Sequence, residues 1–239
     1  MKKIHSALAL LSLTLLFSSN ALAGDPFKGG MTLKLTYALP QGSYGENMPY
    51  SFGNYAYDLK TMNPAIGLQF GTMYFLNFID IGDKMAIGID VTWFGASYQN
   101  ASYSFLRNYT DNNVAYSDAG EFNMYYLMFN AGVGPSFSFS PAEKLALDLS
   151  FKVSPAFAVS AGKYSLSAAG GDSENLGASG FGFLYTPSFY FRYRLLLLGV
   201  EYNIGDIDMN YVTSGRVSLK TSKIPMNYNA LKIVLGLKF

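Results

Sequence analysis

The side chains of this sequence that could carry out chemistry are few, and their types limit the reactions open to it. The 239 residues contain one histidine, His5, and no cysteine. Imidazole titrates near neutral pH and commonly activates a serine or a water, and imidazole and thiolate are the usual zinc ligands. His5 belongs to a segment that we expect to be removed. The sequence therefore predicts a protein that is not an enzyme and holds no metal and no cofactor.

Two short motifs have the spacing of a chemical site but lack its context. Ser160 and Lys163 have a Ser-x-x-Lys spacing, yet the helical turn and partner motifs of that chemistry are missing from the sequence. Asp206, Asp208 and Asn210 are spaced like calcium ligands, but tyrosine follows them where a calcium loop requires glycine. We interpret both as ordinary polar residues, with a loose surface calcium site as the alternative for the second.

A third group consists of charged residues that alternate with bulky apolar ones. Unpaired charges are costly to bury, so these residues need partners. Aligned by depth along their segments, Glu201 falls near Lys232, and Asp148 falls near Arg192. The pattern predicts a network of ion pairs that plugs a narrow interior, with a polar pore or gate as the alternative. The network comprises Lys34, Asp90, Asp148, Lys152, Arg192, Glu201 and Lys232.

The elements that must position these charges are β-strands. Several segments alternate bulky apolar residues with small or polar ones, which is the period of a strand with two different faces. Each is long enough to cross a membrane as a tilted strand. These eight segments are about 29–39, 62–77, 84–96, 121–139, 145–160, 180–194, 195–205 and 228–239.

The bulky face of these segments must point outward. An eight-stranded barrel has an interior just wide enough for side chains to fill, so small and polar residues fit there and the bulky apolar set does not. Only lipid tolerates that much exposed apolar surface. The 24 glycines, 19 tyrosines and 19 phenylalanines suit small lumen positions and interfacial rings. The sequence predicts an all-β fold, an eight-stranded antiparallel up-and-down transmembrane β-barrel.

The connections between the segments alternate in length. Short ones lie near 78–83, 140–144 and 194–195, and long ones span about 40–61, 97–120, 161–179 and 206–227. Bacterial outer-membrane barrels have short periplasmic turns and longer extracellular loops. This alternation predicts that both termini are periplasmic.

The N-terminal segment predicts export. Lys2 and Lys3 precede an apolar run over 7–17, and a small-x-small cleavage site ends at Ala23. We therefore expect residues 1–23 to be a cleaved secretory signal peptide and residues 24–239 to be a single barrel domain. Removing the signal removes two lysines and no acidic residue, so the remaining charge is close to balanced and gives no case for nucleic acid.

The last strand carries the resemblance to a known family. Residues 231–239 alternate along their whole length, and Leu235, Leu237 and the terminal Phe239 share one face. This ending resembles the C-terminal signal that the barrel assembly machinery reads in Gram-negative outer-membrane proteins. The whole architecture resembles the small outer-membrane barrels of the OmpX and OmpW kind and the barrel of OmpA-like proteins.

The resemblance implies location, partners and a limit on activity. It implies an outer-membrane protein of a Gram-negative bacterium, in contact with membrane lipid and lipopolysaccharide and with the assembly machinery during biogenesis. The enzymes built on small outer-membrane barrels resemble one another in needing a histidine. The function predicted here is a non-enzymatic barrel with a structural role or a surface-interaction role, in which long extracellular loops contact a ligand. The alternative is a narrow pore or transporter for small or apolar solutes.

Prolines interrupt three of the predicted strands, and proline cannot donate to a strand ladder. If the connection over 161–179 closes symmetrically, Pro155 and Pro187 fall nearly opposite each other. This placement indicates a weakened seam that could open laterally toward lipid. The alternative is a pair of bulges that only curve the wall.

Overall fold

The structure is a computed structural model that describes residues 27–41, 55–76, 79, 81–111, 114–165, 173–214 and 222–239. The predicted signal peptide and most of the first predicted loop lie outside the described residues. None of the described residues forms a helix with the length and hydropathy that a membrane-spanning helix needs.

The described chain is built from antiparallel β-strands. Short turns join some of them, and elsewhere one strand follows another after a two-residue break. The strands are β1 (Gly30–Pro40), β2 (Tyr55–Met62), β3 (Ala65–Phe75), β4 (Met85–Asp111), β5 (Val114–Ala142), β6 (Leu145–Ser165), β7 (Ser173–Tyr193), β8 (Leu196–Asn203), β9 (Asp206–Ser214), β10 (Ser222–Asn227) and β11 (Ala230–Lys238).

Eight of these strands close into a barrel, as the sequence predicts. The sheet runs from β1 through β3, β4, β5, β6 and β7 to β8, and β8 then pairs with β11. Strand β11 pairs with β1 from Thr32 opposite Lys238 to Pro40 opposite Ala230, which closes the ring. The other three strands extend the wall at one end, where β2 pairs with β4, β9 with β7, and β10 with β9.

The two faces of the ring meet different surroundings. Outward side chains are large and apolar, and many are about half exposed, such as Leu35 at 53% and Leu198 at 54%. Water does not tolerate a continuous apolar belt of this size, whereas acyl chains do. The belt includes Leu33, Leu35, Ile66, Leu68, Phe129, Val133, Leu149, Phe151, Phe183, Leu198, Ile233 and Leu235.

The predicted long loops are wrong in large part, because the strands continue through them. Strand β4 runs on to Asp111 and β5 begins at Val114, so most of 97–120 is a hairpin. Strands β6 and β7 likewise occupy both ends of 161–179, and β9 and β10 occupy much of 206–227. We call this strand region the outer extension.

The polarity of the wall inverts in the outer extension. The alternation with bulky apolar residues on the outer face, from which the strands are predicted, therefore ends where the outer extension begins. On β4 the inward residues Ala101 and Tyr103 are buried, and on β5 so is Met124. Ser102 and Asn123 lie on the opposite face, where the Ser102 hydroxyl donates to the Asn123 amide oxygen at 2.6 Å. Apolar residues face inward here because water, and no longer lipid, surrounds the wall.

A β-bulge on β4 shifts which residues of that strand face inward in the outer extension. Thr92 pairs with Gly132 and Gly95 with Asn130, so Trp93 and Phe94 together oppose one residue of β5. Both aromatic side chains point outward, with 55% and 50% of their surface exposed. Before the bulge the even-numbered residues of β4 face inward, and after it the odd-numbered ones do.

The two prolines of the predicted weak seam do not face each other. Pro155 pairs with Phe183, and Pro187 pairs with Phe151, four positions away. The hairpin closes at Ser165 opposite Ser173, which shifts the pairing from the symmetric closure assumed from the sequence. The β6–β7 register is continuous from end to end of the paired segment, so the expectation that the two prolines lie opposite each other is wrong, while the weakened seam itself stays a prediction.

The described ladder is interrupted at the neighbouring seam instead. Between the pairs Asn130–Ala156 and Ser136–Ser150 of β5 and β6, the register is unchanged but Val133–Val153 is the one position at which the two strands pair. Pro135 and Pro155 lie in these stretches, and each lacks the N–H that a ladder bond needs.

We expect faster amide exchange at this interruption. In a bilayer nanodisc, the amides of residues 131–134 on β5 should exchange faster than those of residues 184–190 on β7, because fewer ladder bonds protect them. Hydrogen exchange read by mass spectrometry or NMR measures both sets in one sample. Equal protection of the two sets would contradict the expectation.

Candidate functional site

The candidate site is the interior of the barrel, where five charged side chains meet. Each lies at an inward position of a different barrel strand, and each residue is 5% exposed or less. We call this set the central cluster. It consists of Lys34 on β1, Asp90 on β4, Lys152 on β6, Glu201 on β8 and Lys232 on β11.

Glu201 is the hub of the central cluster. Its carboxylate oxygens lie 3.4 Å from Lys152 Nζ, 3.6 Å from Lys232 Nζ and 3.8 Å from Lys34 Nζ. The Gln69 amide donates a hydrogen bond to the same carboxylate at 3.0 Å, and the Tyr190 hydroxyl donates a short one. One carboxylate therefore holds side chains from five other strands.

Asp90 forms the second anionic point. Its Oδ2 lies 3.3 Å from Lys152 Nζ and 3.8 Å from Lys34 Nζ, and it accepts a hydrogen bond from Ser150 at 3.1 Å. Strands β1 and β6 lie on opposite sides of an eight-membered ring. Because Lys34 and Lys152 both reach Asp90 and Glu201, the central cluster crosses the whole lumen.

A separate ion pair lies nearer the end with the short turns. Arg192 donates from Nε and Nη2 to the two oxygens of Asp148, at 3.0 and 3.1 Å. Ser138 donates to the same carboxylate at 2.6 Å. The paired, planar geometry is the strong form of an arginine–carboxylate contact.

The lumen has room for these side chains because small residues line parts of it. A Cβ added to Gly199 would collide with the ring of Tyr190 and with the Phe189 carbonyl oxygen. The Tyr190 ring therefore lies over this glycine, in a position from which its hydroxyl reaches Glu201 and accepts a bond from Lys34 Nζ at 2.9 Å.

Above the central cluster, on the side of the outer extension, the interior becomes apolar. Tyr103 and Tyr126 share a hydrogen bond of 2.8 Å between their hydroxyls, and burial raises the pKa of Tyr103 to about 12. Methionines from several strands pack around them. This outer cluster consists of Ala101, Tyr103, Met124, Tyr126, Met128, Ala156, Ala158, Ala178, Leu184, Ile207, Met209, Met226 and Tyr228, with Met62 against it.

All seven charged residues predicted to form the network lie inside the barrel. The structure brings Glu201 to Lys232 and Asp148 to Arg192, the two pairs that neighbouring strands suggest. Sequence reasoning missed the contacts across the lumen, such as Lys34 with Asp90, because strand order gives neighbours and not opposite walls. It also did not predict that Tyr190 and Gln69 bind Glu201. The feature of the sequence that could have indicated them is their position on the polar face of their strands.

The remaining predicted site residues lie elsewhere. Leu235 and Phe239 point outward at the end of β11, and Leu237 is less exposed on the same strand. Their predicted role in assembly stays a prediction. Asp206, Asp208 and Asn210 lie on strand β9 and not in a loop, which does not favour the calcium alternative.

The sequence matches no family model and no curated protein. Solved structures similar to it include Ail, the attachment invasion locus protein of Yersinia pestis, at 11% identity, covering 89% of this chain and 99% of that chain with a TM-score of 0.37. Another is the outer membrane protein OprG of Pseudomonas aeruginosa, at 11% identity, covering 91% and 99% with a TM-score of 0.48.

The closed ring of eight antiparallel strands and its apolar outer surface agree with the fold that the sequence predicts.

The hub predicts a large effect of one substitution. Glu201→Gln keeps the shape of the side chain but leaves three buried lysines with only Asp90, so we expect it to lower the free energy of unfolding by about 3–5 kcal/mol. Urea unfolding in lipid vesicles measures this through the fluorescence of Trp93, the single tryptophan.

The matched control is Glu143→Gln in the exposed turn between β5 and β6. It should change the free energy of unfolding by less than about 0.5 kcal/mol. An unfolding midpoint of Glu201→Gln equal to that of the wild type would contradict the role of the hub.

Proposed function

We propose that this protein is a non-enzymatic integral barrel of the Gram-negative outer membrane, with a sealed lumen and an outer extension that makes surface contacts. The observation that carries the proposal is the central cluster, in which charges from opposite walls meet across the interior. A barrel of eight strands leaves little space besides its own side chains.

The location follows from the lipid-facing belt together with the sequence signals at both ends. A closed barrel is the β-structure that can span a membrane. Met31 exchanges backbone hydrogen bonds with Phe239, so the two ends of the described chain lie together. We place them on the periplasmic side, the side of the short turns, with membrane lipid and lipopolysaccharide as the surroundings of the belt.

The absence of enzymatic activity is proposed from residue types. Residues 24–239 contain neither histidine nor cysteine. The buried carboxylates of the central cluster are each held by lysines and hydrogen-bond donors, which suits a structural role. An enzyme acting on lipid would have to use serine, lysine or carboxylates alone.

The outer extension is the proposed contact surface. From Tyr98, β4 continues to Asp111, which at about 3.3 Å per residue is roughly 40 Å of strand beyond the apolar belt. Tyr103 of this region packs inward against Tyr126 and does not face outward. The proposed contact surface is therefore the outward polar face of the outer extension, which includes Ser102 and Asn123.

A narrow route for small or apolar solutes is the second candidate function. The methionines of the outer cluster favour it, because unbranched thioether side chains adapt to bound apolar groups. On this reading the central cluster would be a gate that has to move before anything passes.

Conductance separates the two candidates. The wild-type barrel in a planar bilayer should show no unitary current steps, because the central cluster occupies the lumen. The triple variant Lys34→Ala, Lys152→Ala, Glu201→Ala should show steps if it folds, as checked by heat-modifiable migration in gel electrophoresis. Stable steps from the wild type would contradict the seal and favour the pore.

The hairpin of β4 and β5 offers a test of the contact role. Asn108 pairs with Ser117, so replacing 108–117 by Asn-Gly shortens the hairpin without disturbing the barrel register. We expect cells displaying the shortened protein to lose the surface adhesion that the full-length protein confers, while surface display is unchanged. Exchanging the short turn at Glu143–Lys144 for Asn-Gly is the control, and equal adhesion of all three proteins would contradict the role.

A further inference from the structure

We propose that the lumen binds one small monovalent anion of chloride size, held between Lys232 and Asn203 at the outer side of the central cluster. Three observations point to the same place: the charge of the central cluster, an unpartnered amide, and a cavity that both residues line. This goes beyond the proposed sealing and contact roles, which hold whether or not an ion is present.

The first observation is a charge imbalance. The central cluster contains three lysines and two carboxylates, all buried. The other buried pair, Arg192 with Asp148, is balanced within itself. Buried charges need compensation, so the central cluster lacks one negative charge.

The positive charge of Lys232 is the least compensated of the three lysines. Lys34 and Lys152 each lie within 3.8 Å of both carboxylates, whereas the ion pair of Lys232 is to Glu201 at 3.6 Å. Glu201 is shared among all three lysines. An additional anion is therefore stabilised most when it lies beside the Lys232 ammonium.

The second observation is the side chain of Asn203, which is 1% exposed. The Thr186 hydroxyl donates to its Oδ1 at 3.1 Å. Its Nδ2 has no hydrogen-bond partner. Buried donors are almost always satisfied, and Asn203 lines a cavity, so we infer that an acceptor bound there completes this amide.

The third observation is the cavity itself. It offers about 10 Å³ and is lined by both Lys232 and Asn203. This is room for one water-sized particle, so the ligand is a single ion and not an extended molecule. Lys232 lies opposite Glu201, and Ala230 lies opposite Asn203, so the two donors come from directly paired strands.

The cavity also contains an acceptor, which fixes where the anion lies. Gln99 Oε1 lines it and has no partner, while Gln99 Nε2 donates to the Asn63 carbonyl at 2.8 Å. A carbonyl oxygen repels an anion, so we place the ion on the side of Lys232 and Asn203. A water bridging Asn203 and Gln99 is the competing occupant, but it would leave the excess charge uncompensated.

Bromide diffraction tests the proposal directly. Crystals of the full-length mature barrel are grown in sodium bromide, and an anomalous peak is expected within hydrogen-bonding distance of Lys232 Nζ and Asn203 Nδ2. Asn203→Asp supplies the missing negative charge at the same size and should remove the peak. Lys238→Met, a lysine at the other end of β11 whose Nζ donates to the Lys28 carbonyl, should keep it.

Thermal unfolding in detergent provides a second reading that does not depend on crystals. At constant ionic strength, replacing gluconate by chloride should raise the unfolding midpoint of the wild type by a few degrees, because the ion binds only the folded barrel. Asn203→Asp should show no chloride dependence. Water density without an anomalous peak, or a peak or chloride shift that survives in Asn203→Asp, would overturn the proposal.

Discussion

Closure of the strand ring is the constraint from which the rest of this molecule follows. In lipid every backbone N–H and C=O must be paired within the protein, and the pairing of β1 with β11 leaves the barrel wall without an open edge. Closing eight strands also fixes a narrow interior. Charged side chains on the inner face then have to satisfy one another, which is why Glu201 ends within reach of three lysines.

The same wall is surrounded by lipid at the belt and by water in the outer extension, and the polarity of its outward side chains differs accordingly. Inside the belt, polar residues face the axis and apolar residues face lipid. In the outer extension, Tyr103 and Met124 turn toward the axis while Ser102 and Asn123 face outward. The lumen is consequently layered, with the Arg192–Asp148 pair, then the central cluster, then the apolar outer cluster.

The sequence predicts the barrel well because every strand that crosses lipid must alternate apolar outward residues with small or polar inward ones. Alternation located the belt segments to within a few residues, for example 29–39 against Gly30–Pro40. Outside the belt this alternation is no longer required, so the sequence pattern predicts loops where the structure has β2, β9, β10 and the long ends of β4 and β5. Neighbouring strands brought Asp148 to Arg192, but contacts across the axis depend on the stagger of the whole ring, which single segments do not encode.

The bulge at Trp93 and Phe94 has a consequence for how this wall could change in evolution. It is one extra residue, and it decides which side chains of β4 face the axis for the rest of the strand. Losing that residue would turn Asn100 and Ser102 inward and Ala101 and Tyr103 outward. These four residues would change sides although none of them is next to the lost residue in the strand. A change of length within this stretch of β4 therefore keeps the same residues facing the axis only when it adds or removes an even number of residues.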